Sequence, residues 1–196
     1  MPLAIDTPGL DWRDWHLPLS RGCVTLGAGM DDLALVGAMQ GEIPLIVQLL
    51  ENPRYDIPGL DLFHGAVDLK NHDAIHLLLG RGLCEKDEAF VIGFTMGSTR
   101  KVNAVEETLF TLIARHIYPG IFRFGADDAR VFRDAVRLAW ISECRRLDRV
   151  DFAACRRHTL SDLRRMLGVE EELLRAYYTI EGRRFPSAPE SRRLLA

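Results

Sequence analysis

Three glycines, Gly37, Gly65 and Gly93, stand 28 residues apart inside segments of one pattern, and this spacing constrains the fold of the chain more than any other feature. The segments read LALVGAMQGE from Leu33, DLFHGAVDLK from Asp61 and AFVIGFTMGS from Ala89, each followed about ten residues later by a second apolar run. A repeat of this length is a helix pair that buries its apolar face by stacking on its neighbours. Glycine within a helix costs about 1 kcal/mol relative to alanine, so its recurrence implies that another backbone approaches closely at each position.

The helix signals follow the same period. Asp31 and Asp32 suit an N-terminus for a first helix through Leu33, Leu35, Val36 and Met39, closed at Gly41, and Pro44 is tolerable in the first turn of the next helix. That second helix carries Ile43, Ile46, Leu49 and Leu50 and stops at Asn52 and Pro53. The second repeat places Leu62, Phe63, Ala66 and Val67 in its first helix and Ala74, Ile75, Leu77, Leu78 and Leu79 in its second, ended by Gly80 and Gly82. The third runs through Phe90, Val91, Ile92 and Phe94 to Gly97, then from Val102 through Leu112 toward His116. Under the shift Ile46, Ala74 and Val102 align, as do Leu49, Leu77 and Val105.

QGEIPLIVQLLEN and KNHDAIHLLLGRG resemble the second helix of ankyrin repeats, and GAM and GAV the small-residue centre of the first. The likeness covers roughly residues 31–116; the usual Thr-Pro-Leu-His opening is reduced to Leu62, Phe63 and His64, and the period is short of the usual 33. It implies an all-α fold: a short ankyrin-like helical-repeat solenoid of three helix pairs over residues 31–118, in one domain spanning 1–196. Residues 1–30, with Trp12 and Trp15 on one face if helical, form an N-terminal cap. Residues 119–182 form a helical C-terminal cap, and 183–196, with Pro186 and Pro189, a frayed tail. Within the cap, 126–146 reads as one amphipathic helix with Phe132, Ala135, Val136, Ala139 and Trp140 on its apolar side. Further helices are expected over 150–157, 161–167 and 169–179, the last two joined through Gly168.

Composition narrows the function classes. At 196 residues and 47% apolar content the chain can build a real core, and its four cysteines form no CxxC pair, which fits reduced intracellular thiols. No basic-then-apolar leader and no long uninterrupted apolar stretch is present, so the expected location is cytoplasmic, with no membrane partner. Residues 1–120 carry 9 basic against 16 acidic side chains, whereas the remainder carries 16 arginines against 12 acids, giving the net charge of −3. Residues 159–178 are similar to a helix-turn-helix, but Glu170, Glu171 and Glu172 occupy the turn that would meet DNA, so no nucleic-acid partner is expected.

The candidate site is the concave face that first helices would line, with His64 and Asp68 on it and Asp61 at its edge. Asp61 and Asp68 lie three and four residues from His64, near enough to bridge repeats, contact a partner or raise the imidazole pKa for general-base work. His72 and His76 in HDAIH are one turn apart, but Asp73 stands where the HExxH glutamate would be and no third ligand is evident, so they read as surface or turn-capping histidines. No catalytic residue, metal or other cofactor is expected. The leading function is a non-catalytic protein-protein interaction module; the alternative is an enzyme with a small-molecule pocket between the repeat face and the C-terminal helices, using His64, Asp68 or His116.

Overall fold

The computed structural model describes residues 12–36, 64–65, 67–117 and 123–195. The Gly37 repeat beyond Val36, and Asp61, Leu62, Phe63 and Ala66 of the second, lie outside the described residues. The described residues hold eight α-helices and no sheet, with one isolated antiparallel bridge between Thr25 and Thr159. The helices are α1 (Leu26–Val36), α2 (Leu69–Leu79), α3 (Glu85–Ser98), α4 (Ala104–His116), α5 (Ala126–Ile141), α6 (Leu160–Leu167), α7 (Glu171–Arg184) and α8 (Pro189–Arg192).

The 28-residue shift does not superpose the described elements. His64 and Gly65 form a turn, with Gly65 at φ +93°, and Asp68 is an extended N-cap, so the helix expected through Val67 is not formed there. Ala74 lies inside α2, whereas Val102 lies in the loop before α4. Both glycines do sit at close approaches, but of different kinds. A Cβ on Gly65 would press on the Met96 and Thr95 backbone, and Gly93 and Gly97 would collide with the Phe132 and Val136 carbonyls of α5. With no side chain at either position, α3 packs chiefly on the small-residue face of α5, Ala129, Phe132, Ala135, Val136 and Ala139. The segment read as a C-terminal cap is thus the principal partner of the third repeat's first helix.

Other corrections share one cause, contacts made across long sequence separations. Helix α1 starts at Leu26, because the amides of Leu26 and Gly27 donate to the His158 and Arg156 carbonyls at 2.9 and 2.8 Å, so Asp31 and Asp32 fall within it. Trp15 is buried and donates from Nε1 to Asp32 at 2.9 Å. Helix α5 ends at Ile141 rather than 146, since Ser142 turns extended and the Arg145 amide donates to the Leu167 carbonyl at 2.8 Å. This leaves Trp140 44% exposed instead of on the buried side. Residues 152–157 are turns, not a helix. The expected tail is built in: α7 runs to Arg184, α8 follows, and Ser191 and Leu194 are buried. The α6–Gly168–α7 connection forms as the sequence indicates, with Gly168 left-handed at φ 70°.

Everything converges on the carboxyl end of α2, where Ile75, His76, Leu77, Leu78 and Leu79 are all fully buried. A helix end there leaves carbonyls that water cannot reach. Gly80 adopts φ 67°, and the Arg81 amide closes back on the His76 carbonyl at 2.9 Å. Arg164 of α6 donates to the Leu78 carbonyl at 2.7 Å and to Leu19 at 3.1 Å, with a longer contact to Leu77. The Tyr178 hydroxyl of α7 donates to Leu79 at 2.6 Å, and His16 Nε2 donates to Gly80 at 2.9 Å.

Replacing Gly97 by Leu is expected to force α3 off α5 and cost roughly 1–3 kcal/mol, read as a lowered Tm; an unchanged melt would remove this packing account. His16 yields a second expectation. Burial pushes its imidazole down to about 4, against the pull of its Gly80 hydrogen bond. The unfolded chain, near 6.5, then binds more protons between those values, so this contribution is complete above about 6.5 and is lost as pH falls toward about 4. Wild-type stability should therefore decline more steeply across that window than that of His16→Gln, and parallel pH profiles would contradict it.

Candidate metal centre

His72 and His76 project from the same side of α2, because residues four apart lie one above the other on a helix. The connection from Gly80 to Cys84 then turns the chain back so that the first turn of α3 lies beside them. That turn is fixed by Cys84, whose amide donates to Asp87 Oδ2 at 3.2 Å. It brings Glu88 onto both histidines: Oε2 lies 2.9 Å from His72 Nε2 and Oε1 3.2 Å from His76 Nε2. The two Nε2 atoms are 3.0 Å apart.

The proton positions follow from the partners. His76 Nδ1 lies 2.7 Å from the Gly82 carbonyl, which can only accept, so Nδ1 carries a proton, and Nε2 is the nitrogen that faces His72 and Glu88 and would bind a cation on losing its own proton. A backbone carbonyl on the outer nitrogen is the arrangement that orients a metal-ligating imidazole. Burial raises the Glu88 carboxyl, but His76 and His72, by charge and hydrogen bonding, outweigh it and hold the group well below the usual carboxylate range. Glu88 is therefore ionised as the counter-ion of protonated imidazoles, and a cation bound here would take the place of their protons. Asp73, beside His72, is pushed up by burial against the pull of both imidazoles.

The three groups offer donor atoms that all lie within 4.8 Å of one another. Metal–ligand bonds of about 2.0–2.2 Å require donors about 3.0 Å apart on an octahedral face and about 3.3 Å apart in a tetrahedron. The separations of 2.9 Å from His72 to Glu88 Oε2, 3.2 Å from His76 to Glu88 Oε1 and 3.0 Å between the imidazoles are those of a hydrogen-bonded cluster, and they are close enough for a small cation to replace the shared protons. The donor set, two imidazoles and a carboxylate, suits zinc, iron or a neighbouring first-row metal rather than calcium or magnesium. His76 is fully buried, while the side chains of His72 and Glu88 retain 13% and 28% exposure, so solvent reaches one side of the cluster.

The surface reading fails for His76, which is fully buried, whereas its Nδ1 contact with the Gly82 carbonyl is of the turn-capping kind. The face of α2 that carries the two histidines is polar in sequence but is covered by α3, and the carboxylate beside them, Glu88, lies beyond a helix–helix connection. Glycines at 80 and 82 followed by acidic residues at 85, 87 and 88 were the available signal: a tight return that sets an acidic first turn beside the histidines.

The residues nominated for the concave face are placed differently. His64 Nδ1 contacts both oxygens of Glu106 on α4, at 3.2 and 3.1 Å. Asp68 accepts from the Asn71 amide at 3.0 Å as the N-cap of α2, which accounts for an acid at that position. Asp61 lies outside the described residues, and His116 is exposed in the last turn of α4. His64, Asp68 and His116 are not among the donors of the His72, His76 and Glu88 group.

No helix among the described residues is long and apolar enough to cross a membrane. Comparison of the chain with protein-family models, with curated proteins and with solved structures yields no match, so its geometry alone bears on what it does.

Proposed function

We propose that the chain binds one divalent transition metal through His72, His76 and Glu88 and uses it on a small-molecule substrate. The observation that carries this reading is the convergence of the three donors, with His76 Nε2 aimed at the others by the Gly82 carbonyl. Three protein ligands with solvent on one side is the pattern of a catalytic centre, which keeps a position for water or substrate; a structural zinc is enclosed by four. The fitting reaction class is metal-assisted hydrolysis, in which the cation lowers the pKa of bound water and polarises the bond under attack. The chain's residues hold and orient the ion, and the buried wall around His76 limits access to the side of Glu88 and His72. This reading keeps the small-molecule enzyme expected as the alternative and moves its chemistry from His64 and Asp68 to the α2–α3 return.

Apo protein titrated with zinc in a calorimeter should take up one equivalent, with a raised Tm. Uptake should be lost in His76→Ala and weakened in Glu88→Gln. Because the imidazoles must be neutral to bind, affinity should fall as the solution is made more acidic. Zinc uptake that survives combined His72→Ala and His76→Ala replacement would overturn the site.

A second reading is the non-catalytic interaction module that binds another protein. A specific observation favours an interaction role: an open, mainly apolar groove of about 260 Å³ between α4 and α5, lined by Val102, Ala104, Val136, Trp140 and Ile141 among others. Val105 and Ile141 nearby are 77% and 72% exposed. A wild-type protein that takes up no zinc under the conditions above would leave this as the better reading.

A further inference from the structure

We infer that the C-terminal segment Pro189–Leu195 is a latch on the metal centre, with Arg193 as its positioning residue; this rests on the metal-binding reading above. Three consecutive side chains in the first turn of α3 divide the work. Lys86 reaches into the segment, its Nζ 2.9 Å from Glu190 Oε1. Asp87, fully buried, accepts from Arg193 Nη2 at 3.0 Å. Glu88 is the carboxylate on His72 and His76. The turn that presents the metal's oxygen ligand is thus gripped on its two preceding residues by the C-terminal segment.

Arg193 joins further parts of the same wall. It donates from Nη1 to the Arg13 carbonyl at 2.6 Å, and its Nη2 lies 3.8 Å from Cys84 Sγ at the N-cap of α3. Asp87 in turn closes the loop through the Cys84 amide and lies 3.6 Å from Arg81, whose guanidinium is paired with Glu181. Ser191 donates to that same Glu181 at 2.9 Å. The loop thus held includes Gly82, whose carbonyl orients His76. Without Arg193 the buried Asp87 loses the nearer of its two cations. A buried carboxylate that loses this donor is drawn toward Arg81, 3.6 Å away, and a small rotation of the first turn carries Glu88 off the imidazoles. The segment and the ion hold the same turn, so under this inference each favours the other, and by linkage to the same factor.

The test compares zinc affinity in wild type, Arg193→Ala, Arg193→Lys and Glu190→Gln, together with amide hydrogen exchange in residues 189–195 with and without zinc. Arg193→Ala should weaken zinc binding by roughly 10–100-fold, the usual effect of losing a partner behind the ligands, and Arg193→Lys should recover part of it. The cobalt-loaded Arg193→Ala protein should give the visible spectrum of Glu88→Gln, and combining the two changes should cost little more than either alone, which general destabilisation would not produce. In wild type, zinc should slow exchange in 189–195. Should Arg193→Ala fold poorly, Glu190→Gln carries the same prediction at smaller size. Wild-type affinity and cobalt spectrum in both variants, with zinc bound by the native protein, would overturn the latch and leave the metal site standing; no zinc binding by the native protein would overturn both.

Discussion

The buried carboxyl end of α2 holds the molecule together because four successive carbonyls, from Leu77 to Gly80, end where water cannot satisfy them. Each such group left unpaired would cost about 1–3 kcal/mol, a large share of a domain's net stability. The partners come from far along the chain: His16 near the start, Arg164 of α6 and Tyr178 of α7. Forming this cluster fixes α2 in position and rotation and recruits the N-terminal segment and the last third of the sequence. The metal donors inherit that precision, since His76 lies one residue before the first of these carbonyls.

Adjacent to the cap, the structure buries charge. Arg81 makes a two-pronged pair with Glu181 at 3.0 and 2.6 Å and lies between the rings of Phe90 and Tyr178, 3.8 and 4.4 Å from their centroids. Asp87 and Arg193 complete two cations against two anions. The desolvation of such groups largely offsets their attraction, so the network adds little net stability, while loss of one member leaves an uncompensated charge and costs about 3–5 kcal/mol. Its consequence is geometric. The planar fork of Arg81 fits one approach of α7, which sets the path of Arg81–Cys84 and with it the Gly82 carbonyl behind His76.

Local signals in the sequence were reliable where the cause was local. Gly80 and Gly168 end helices in left-handed conformations, and the apolar face of α5 through Phe132, Ala135, Val136 and Ala139 is buried. The glycine period misled because glycine records close contact without recording with what: Gly65 turns beneath α3, whereas Gly93 faces α5. Pro186 and Pro189 suggested a frayed end, yet Glu190, Ser191 and Arg193 find partners about 100 residues earlier or on α7. The metal centre was half legible. HDAIH carried two histidines at helical spacing, but Glu88 gains meaning only once the α2–α3 return is known, and no local pattern states how tightly a connection folds back.

X-ray absorption at the zinc edge of the metal-loaded protein tests the central claim most directly, because it reads the atoms around the ion without assuming a reaction. The account predicts a first shell of nitrogen and oxygen at about 2.0–2.1 Å, with outer-shell scattering from two imidazoles and no sulfur. A shell containing sulfur at about 2.3 Å, or scattering from fewer than two imidazoles, would contradict it.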